Sequence, residues 1–573
     1  MKDNKQHNNT TKRHKILNGF LCLLAICLLN VIFGDVVRAQ IKNNAQPTPS
    51  APQPKQKLQP TIPTADRYQK GKVFLEYADR LSMNEYISPD YQVLNGNVKF
   101  RKGDMYMHCD SAHFYDKKNS FVAFGNVKME QGDTLFVYSD VLYYDGNEEL
   151  ARLRNNVRME NKTVTLFTDS LDYDIRVNIG YYFDGGKIVD DKNELSSVYG
   201  QYSPDTKDTE FLFDVILANE KYTMHTDTLY YNTDNHIADI VGYTTIVSDS
   251  NVIYSNKGRY NTETEKATLY QRSLIVGKDA QTLTGDTIFY DRLTGFGEVF
   301  GNMTMTDSVK STTLKGDYGY HNEKTNCSFA TKQALAMEYS QNDTLYLHGD
   351  TIKTYLLEDS SRVMNAYPRV RFYRTDVQGL CDSLAFMSRD STLYMHKHPI
   401  LWNEQRQVTG NLITVLFNDS TVEKATLPEY GFIAEHIDEE FYNQLSGKEM
   451  VAYFENNDMR QLDVNGNVEV IMLPMEKDST YNKMVSTEGS FLKVIFNKQK
   501  IEKLNLWPEV TGKVTPIYMV KKSQCYLKGF QWYESMRPKD KDDVFTKSEE
   551  MNTFLDSEET VAPKRRIRKE SEL

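Results

Sequence analysis

The chain has 573 residues, a net charge of −11, and 37 Tyr and 27 Phe. That length exceeds one ordinary domain, and an acidic chain with no basic stripe is a poor partner for nucleic acid. Two of the six cysteines fall inside an apolar N-terminal run, and the other four lack the dense spacing of a disulfide scaffold.

Lys2, Lys5, Lys12, Arg13 and Lys15 precede an apolar run from Ile16 to Phe33, and Val37-Arg38-Ala39 supplies a small-x-small cleavage pattern. Residues 1–39 therefore read as a secretory signal peptide. A retained signal anchor is the alternative, because about 18 apolar residues just span a bilayer. Residues 40–70 carry Pro47, Pro49, Pro52, Pro54, Pro60 and Pro63 among polar residues, which predicts an extended linker without a core.

From residue 71 one pattern recurs. An aspartate before a hydroxyl or apolar residue stands at Asp79, Asp110, Asp140, Asp169, Asp227, Asp286, Asp317, Asp350 and Asp382. Between these markers lie corners: Gly96-Asn97, Gly125-Asn126, Asn155-Asn156, Gly185-Gly186, Gly242, Gly301-Asn302 and Gly466-Asn467. Toward the C-terminus proline takes the corner, in Tyr367-Pro368, His398-Pro399, Leu427-Pro428 and Trp507-Pro508. A self-similar period of this size signals a repeat architecture.

Between markers and corners apolar and polar residues alternate, the signature of half-buried strands. Polar turns punctuate them at Lys102-Gly103-Asp104, Asp116 to Asn119, Gly132-Asp133, Asp145-Gly146-Asn147, Asp249-Ser250-Asn251 and Asp419-Ser420. Each period is thus two antiparallel strands, each bent once at its marker or corner. The expected fold is all-β: a long, repetitive, V-shaped and semi-open β-jellyroll of stacked, centrally bent antiparallel strands. Its repeats run over residues 71–340 and, with more divergent periods, over 341–537. Residues 435–448 have weak helical character and read as an insertion or plug, and the charged residues 538–573 read as a disordered tail.

The bend assigns an inward column to each half-strand. Two and four residues past the markers stand Ala112 and Phe114, Leu142 and Tyr144, Leu171 and Tyr173, Leu229 and Tyr231, Ile288 and Tyr290, and Leu384 and Phe386. Past the corners stand Val98 and Phe100, Val127 and Met129, Val157 and Met159, Met303 and Met305, and Val468 and Val470. These columns either seal a dry core or line a groove that receives an acyl chain. Burying a methylene is worth about 0.8 kcal/mol, so a dozen carbons in such a groove are worth roughly 10 kcal/mol.

Catalytic and metal signals are weak. No nucleophile elbow, zinc-helix motif or phosphate loop occurs. His396 and His398 alternate on one strand without a third ligand at recognisable spacing. The expectation is a non-enzymatic protein with no cofactor and no metal. Cys109 and Cys381 each precede a marker and read as small buried thiols. Asp-Ser/Thr-apolar triplets such as Asp110-Ser111-Ala112 also fit an O-glycosylation acceptor, although the repeat already accounts for them.

The Gly-Asn-Val corner, the Asp-Ser/Thr-x-x-Tyr strand and the period near 30 resemble the OstA-like family of periplasmic lipopolysaccharide-transport β-jellyrolls. His398-Pro399-Ile400-Leu401-Trp402, followed by Gly410-Asn411, looks like a proline-aromatic corner of the same kind. The resemblance implies a place in the periplasm, carriage of the lipid A acyl chains of lipopolysaccharide in the groove, and edge-strand pairing with jellyrolls of inner- and outer-membrane complexes. The alternative is a non-enzymatic structural stalk or adhesin with a closed core.

Overall fold

In a computed structural model, residues 71–557 are described, apart from 85, 87, 250, 278–280, 323, 324, 326, 340–342, 419, 420, 439, 498 and 499. The signal, the linker and residues 558–573 lie outside the described residues, as does the Asp419-Ser420 turn and Ser250 of the turn before it. The described chain is nearly all strand. It holds one α-helix, α1 (Glu549–Asp556), near its end, and no described helix is long and apolar enough to cross a membrane.

The strands are long, antiparallel and bent. Gln92–Lys102 pairs with Met105–Tyr115, which pairs with Ser120–Gln131, which pairs with Leu135–Asp145. Each register slips at mid-strand, for example between Asn95 and Val98 opposite Ser111 and Cys109. There the two residues Gly96-Asn97 oppose Asp110 alone. Two residues against one is a bulge, and a bulge bends its strand.

The bend has a side-chain cause. The Nδ2 of Asn97 donates to Asp79 at 2.9 Å, that of Asn126 to Asp110 at 2.8 Å, that of Asn156 to Asp140 at 2.6 Å, and that of Asn302 to Asp286 at 2.7 Å. The backbone N–H groups of Asp79 and Asp286 donate to the carbonyls of Gly96 and Gly301. In these four periods the marker thus clamps the corner of the strand beside it. The corner residues occupy the left-handed region, which Asn and Gly tolerate best. At two of the proline corners a cation replaces the asparagine: Arg369 pairs with Asp350, and Lys397 lies 3.8 Å from Asp382.

By its contacts the chain divides into an N-terminal unit, extending to Val276 with Thr287–Leu293, and a C-terminal unit of Gly277–Asp286 with Thr294 onward. The division falls near 277–293 rather than near 340. Within each unit the bends split the strands into two half-sheets with a core between. We call these the marker wall and the corner wall, after the residue each half-strand follows.

Two segments differ from expectation. Residues 435–448 are not a helical plug: Gly431–Asp438 and Phe441–Gly447 form a hairpin inside the corner wall, flanked by Arg406–Gly410 and Asp458–Met472. Backbone pairing on both flanks overrides a weak helical pattern. Residues 538–557 are not disordered. The last described strand is Thr511–Pro516, and from Ile517 the chain runs back over the outer face of the corner wall as a strap whose described part ends in α1. Met536, Val544, Met551 and Leu555 are buried in it. Apolar residues spaced among charges gave no run long enough to signal a core from sequence.

Candidate functional site

The interior columns of the N-terminal unit are where the pattern placed them. Val98, Phe100, Val127, Met129 and Val157 line the corner wall; Ala112, Phe114, Leu142, Tyr144, Leu171, Tyr173, Leu229, Tyr231, Ile288 and Tyr290 line the marker wall. All are at most 7% exposed. The walls touch: the ring of Phe100 is stacked on Phe121 at 4.0 Å and sits 5.5 Å from Phe114, and Phe121 stacks on Tyr144 at 5.1 Å. Burial holds the Cys109 thiol up to about 12, as an inert interior group. Burial likewise raises the phenols of Tyr144, Tyr173 and Tyr231.

The columns contain more residues than marker and corner counting gives. Half-strands that run into a bend contribute equally, as Met105 and Met107, Phe121, Val137 and Leu153 show. On marker strands the inward parity switches at the bend, from Met107 and Cys109 to Ala112 and Phe114. Extending the alternation backward through each marker with that one-residue switch, and through each corner without one, would have found them.

The C-terminal unit presents its interior differently. Leu384 and Phe386 are buried on the marker wall. On the corner wall, register carries one interior row across successive strands: Phe372 pairs with Gly379, Gly379 with Leu401, Leu401 with Val408, Val408 with Ile433, Ile433 with Leu445 and Leu445 with Val470. From Leu401 onward every member is only half-buried. On the marker wall the outer row Leu393, Val415 and Ala425 is half-buried too, while the deeper row Met395, Ile413, Leu427 and Met450 is buried. The interior here is therefore an apolar trough with a closed floor and partly accessible sides.

The back of this trough is sealed by the strap. Ile400 and Trp402, alternate to Leu401, point outward and are fully buried beneath Met536, Met551 and Leu555, while Phe432 packs with Phe530 and Trp532. Three buried glutamines hold the strap, two of them by its backbone. Gln407 accepts from Tyr533 N–H at 2.8 Å and donates to the Gln531 carbonyl at 2.9 Å. Gln444 accepts from Leu527 N–H at 2.8 Å and donates to the Cys525 carbonyl at 2.7 Å. Gln378 accepts from the Arg537 guanidinium at 2.8 Å. Arg371, itself buried, donates to the Thr546 carbonyl at 2.8 Å. At the far end Lys547 pairs with Asp350 at 2.8 Å. Burial alone would raise the Asp350 carboxyl, but Lys547 and Arg369 hold it below its ordinary value.

The histidine pair does not form a metal site. His398 is buried, with Nε2 2.9 Å from the Ser557 carbonyl and its ring against Phe554, while exposed His396 is paired ring to ring with Tyr394. Among the described residues no group of His, Cys, Asp or Glu could hold a metal ion. The four cysteines of the described region are free thiols. Of the triplet hydroxyls, that of Ser170 is buried and donates to Asp184 at 3.2 Å.

Residues 70–227 and 214–286 match the family model of OstA-like proteins. Residues 70–286 are thus an OstA-like region. No curated protein matches the chain.

Proposed function

We propose that this chain, with its OstA-like region, is a non-enzymatic periplasmic component of lipopolysaccharide transport that carries lipid A acyl chains between the inner and outer membranes. The observation that carries the reading is the half-buried apolar row Leu401–Val408–Ile433–Leu445–Val470, facing the partly accessible interior of the C-terminal unit. An acyl chain laid along the row displaces water from apolar surface and meets near-equal contacts at each strand, so it slides without a deep trap. Edge-strand pairing with partner jellyrolls belongs to the same reading. The long C-terminal strand Lys500–Trp507 pairs on one flank with Lys483–Asn497 and exposes Ile501, Leu504 and Trp507.

A second reading has its own support. The N-terminal columns are closed, as a structural stalk with a dry core would have them.

Photocrosslinking in living cells separates the two. A photoreactive residue at Leu401 or Ile433 is expected to give lipopolysaccharide adducts, and one at outward Tyr453 none. Absence of adducts at both interior positions, with normal protein levels, would leave the stalk.

A further inference from the structure

The stretch from Val510 to Tyr533 holds Lys513, Lys521, Lys522 and Lys528 and no acidic residue, in a chain whose net charge is −11. Its first half builds the tip of the C-terminal unit at which the strap begins. After the strand Thr511–Pro516 the chain makes a single 3-10 turn, Ile517–Met519, fixed by the Ile517 N–H on the Asn482 carbonyl at 3.0 Å. In such a turn residues three apart share a side. Ile517 and Val520 pack on the buried cluster of Ile471, Leu473 and Met484. The two residues between them face away: Tyr518 is 80% exposed and Met519 is 59% exposed. Beside the turn stands Met475, 64% exposed and bridged to Tyr481, the neighbour of Asn482.

Lysines surround these side chains. Lys513 and Lys521 are exposed and make no ion pair among the described residues, and exposed Lys477 follows Met475. Of the acids in the same segments, Glu476 pairs with Lys483 at 2.7 Å, Glu440 pairs with Lys522 at 2.7 Å, and Asp478 accepts from the Thr480 hydroxyl at 2.7 Å. The interior row Met472–Val485–Val514 also runs out here, on the last described strand.

Large apolar side chains held outward by a packed turn and rimmed by one sign of charge form an interaction surface. A bilayer with anionic headgroups satisfies both halves of it. Tyrosine and methionine enter the boundary between headgroups and acyl chains, lysine stems lie along that boundary, and the ammonium groups meet phosphates. We propose that this tip docks the C-terminal unit on a bilayer surface bearing anionic phospholipid. On the carrier reading it sets the end of the trough against the bilayer; the docking itself stands without that reading.

The test uses the full chain with a photoreactive residue at Met475, at Met519 or, as a control on an exposed turn of the same unit, at Val309. The vesicles are phosphatidylcholine alone, or phosphatidylcholine mixed about two to one with phosphatidylglycerol. In the mixed vesicles lipid adducts at 475 and 519 are expected to exceed those at 309 by about fivefold or more, and to fall several-fold in phosphatidylcholine alone. The ratio to 309 removes any contribution of the N-terminal apolar run, which is common to all three chains. Lys513→Gln combined with Lys521→Gln is expected to lower the yield at 519 by about tenfold or more, with the unfolding midpoint unchanged. Yields at 475 and 519 no higher than at 309 overturn the proposal, as do yields indifferent to phosphatidylglycerol or to the paired lysine changes. In living cells position 519 is expected to take phospholipid; an adduct of protein size in its place gives the surface to a protein partner and overturns the proposal too. The carrier reading fails separately, by absence of lipopolysaccharide adducts at Leu401 and Ile433.

Discussion

The residue that shapes this protein is the marker aspartate, through its hold on the corner beside it. At Gly125 both requirements of the corner meet: φ is +75°, and a Cβ there would lie 2.6 Å from Asp110 Oδ2. Gly125→Ala is therefore expected to lower stability by on the order of 1–3 kcal/mol, read as a reduced denaturant midpoint. Asp110→Ala is expected to act in the same direction by releasing Asn126. Equal midpoints for both variants and the wild type would remove the clamp from the account. Another residue sets an acid limit. His321 is buried, its Nδ1 2.8 Å from the Ser328 hydroxyl, and burial, with a smaller effect from Arg362, pushes its imidazole down to about 4. The folded value lies below the unfolded one of about 6.5, so its contribution is complete above pH 6.5 and is lost as pH falls toward 4. The loss reaches on the order of 3 kcal/mol. His321→Gln is expected to flatten the dependence of the thermal midpoint on pH across that window; an unchanged slope would assign it to other groups.

At the scale of elements, the bent strand and the strap do different work. A bent strand buries one face of each half against the opposing wall, and its alternation made it legible. The strap buries the outer face of the corner wall, and nothing periodic announces it. Ile400 and Leu401 are adjacent and both apolar, and only the strap decides that Ile400 is sealed while Leu401 faces the trough. Leu555→Asp places a charge among Trp402, Met536 and Met551. It is expected to release α1 at a cost of about 3 kcal/mol or more, seen as rapid protease cleavage within residues 538–557 while the preceding strands resist. Cleavage no faster than in the wild type would mean that the strap is held by its glutamines and Lys547 alone.

At the scale of the whole molecule, two units built on one repeat present their interiors differently. In the N-terminal unit tyrosines and polar column ends bond between the walls, as Tyr202 with Asn161 and Tyr231 with Asp190, and the columns are closed. In the C-terminal unit the position of the marker-wall tyrosine is taken by residues such as Phe386, which carries no hydroxyl to bridge the walls. The outer interior rows there remain half-buried. Acyl-chain adducts are accordingly expected first at Leu401 and Ile433, and fewer at Phe114 or Leu171, which are buried. Adduct yields ranked the other way would place the working groove in the N-terminal unit.

Sequence by itself determined the repeat, the bends and the face each side chain takes, because these are local: a strand alternates with period two, and a Gly-Asn or an X-Pro turns the chain wherever it occurs. The interior columns from Val98 to Phe386 could be named on that ground alone. Only the tertiary structure decided which stretches of interior are closed and which are accessible. That depends on contacts between residues far apart in the chain, such as Tyr231 with Asp190 and Trp402 with Leu555. The strap and the hairpin at 431–447 were hidden for the same reason: their order comes from backbone and glutamine bonds to distant strands, which no local periodicity records.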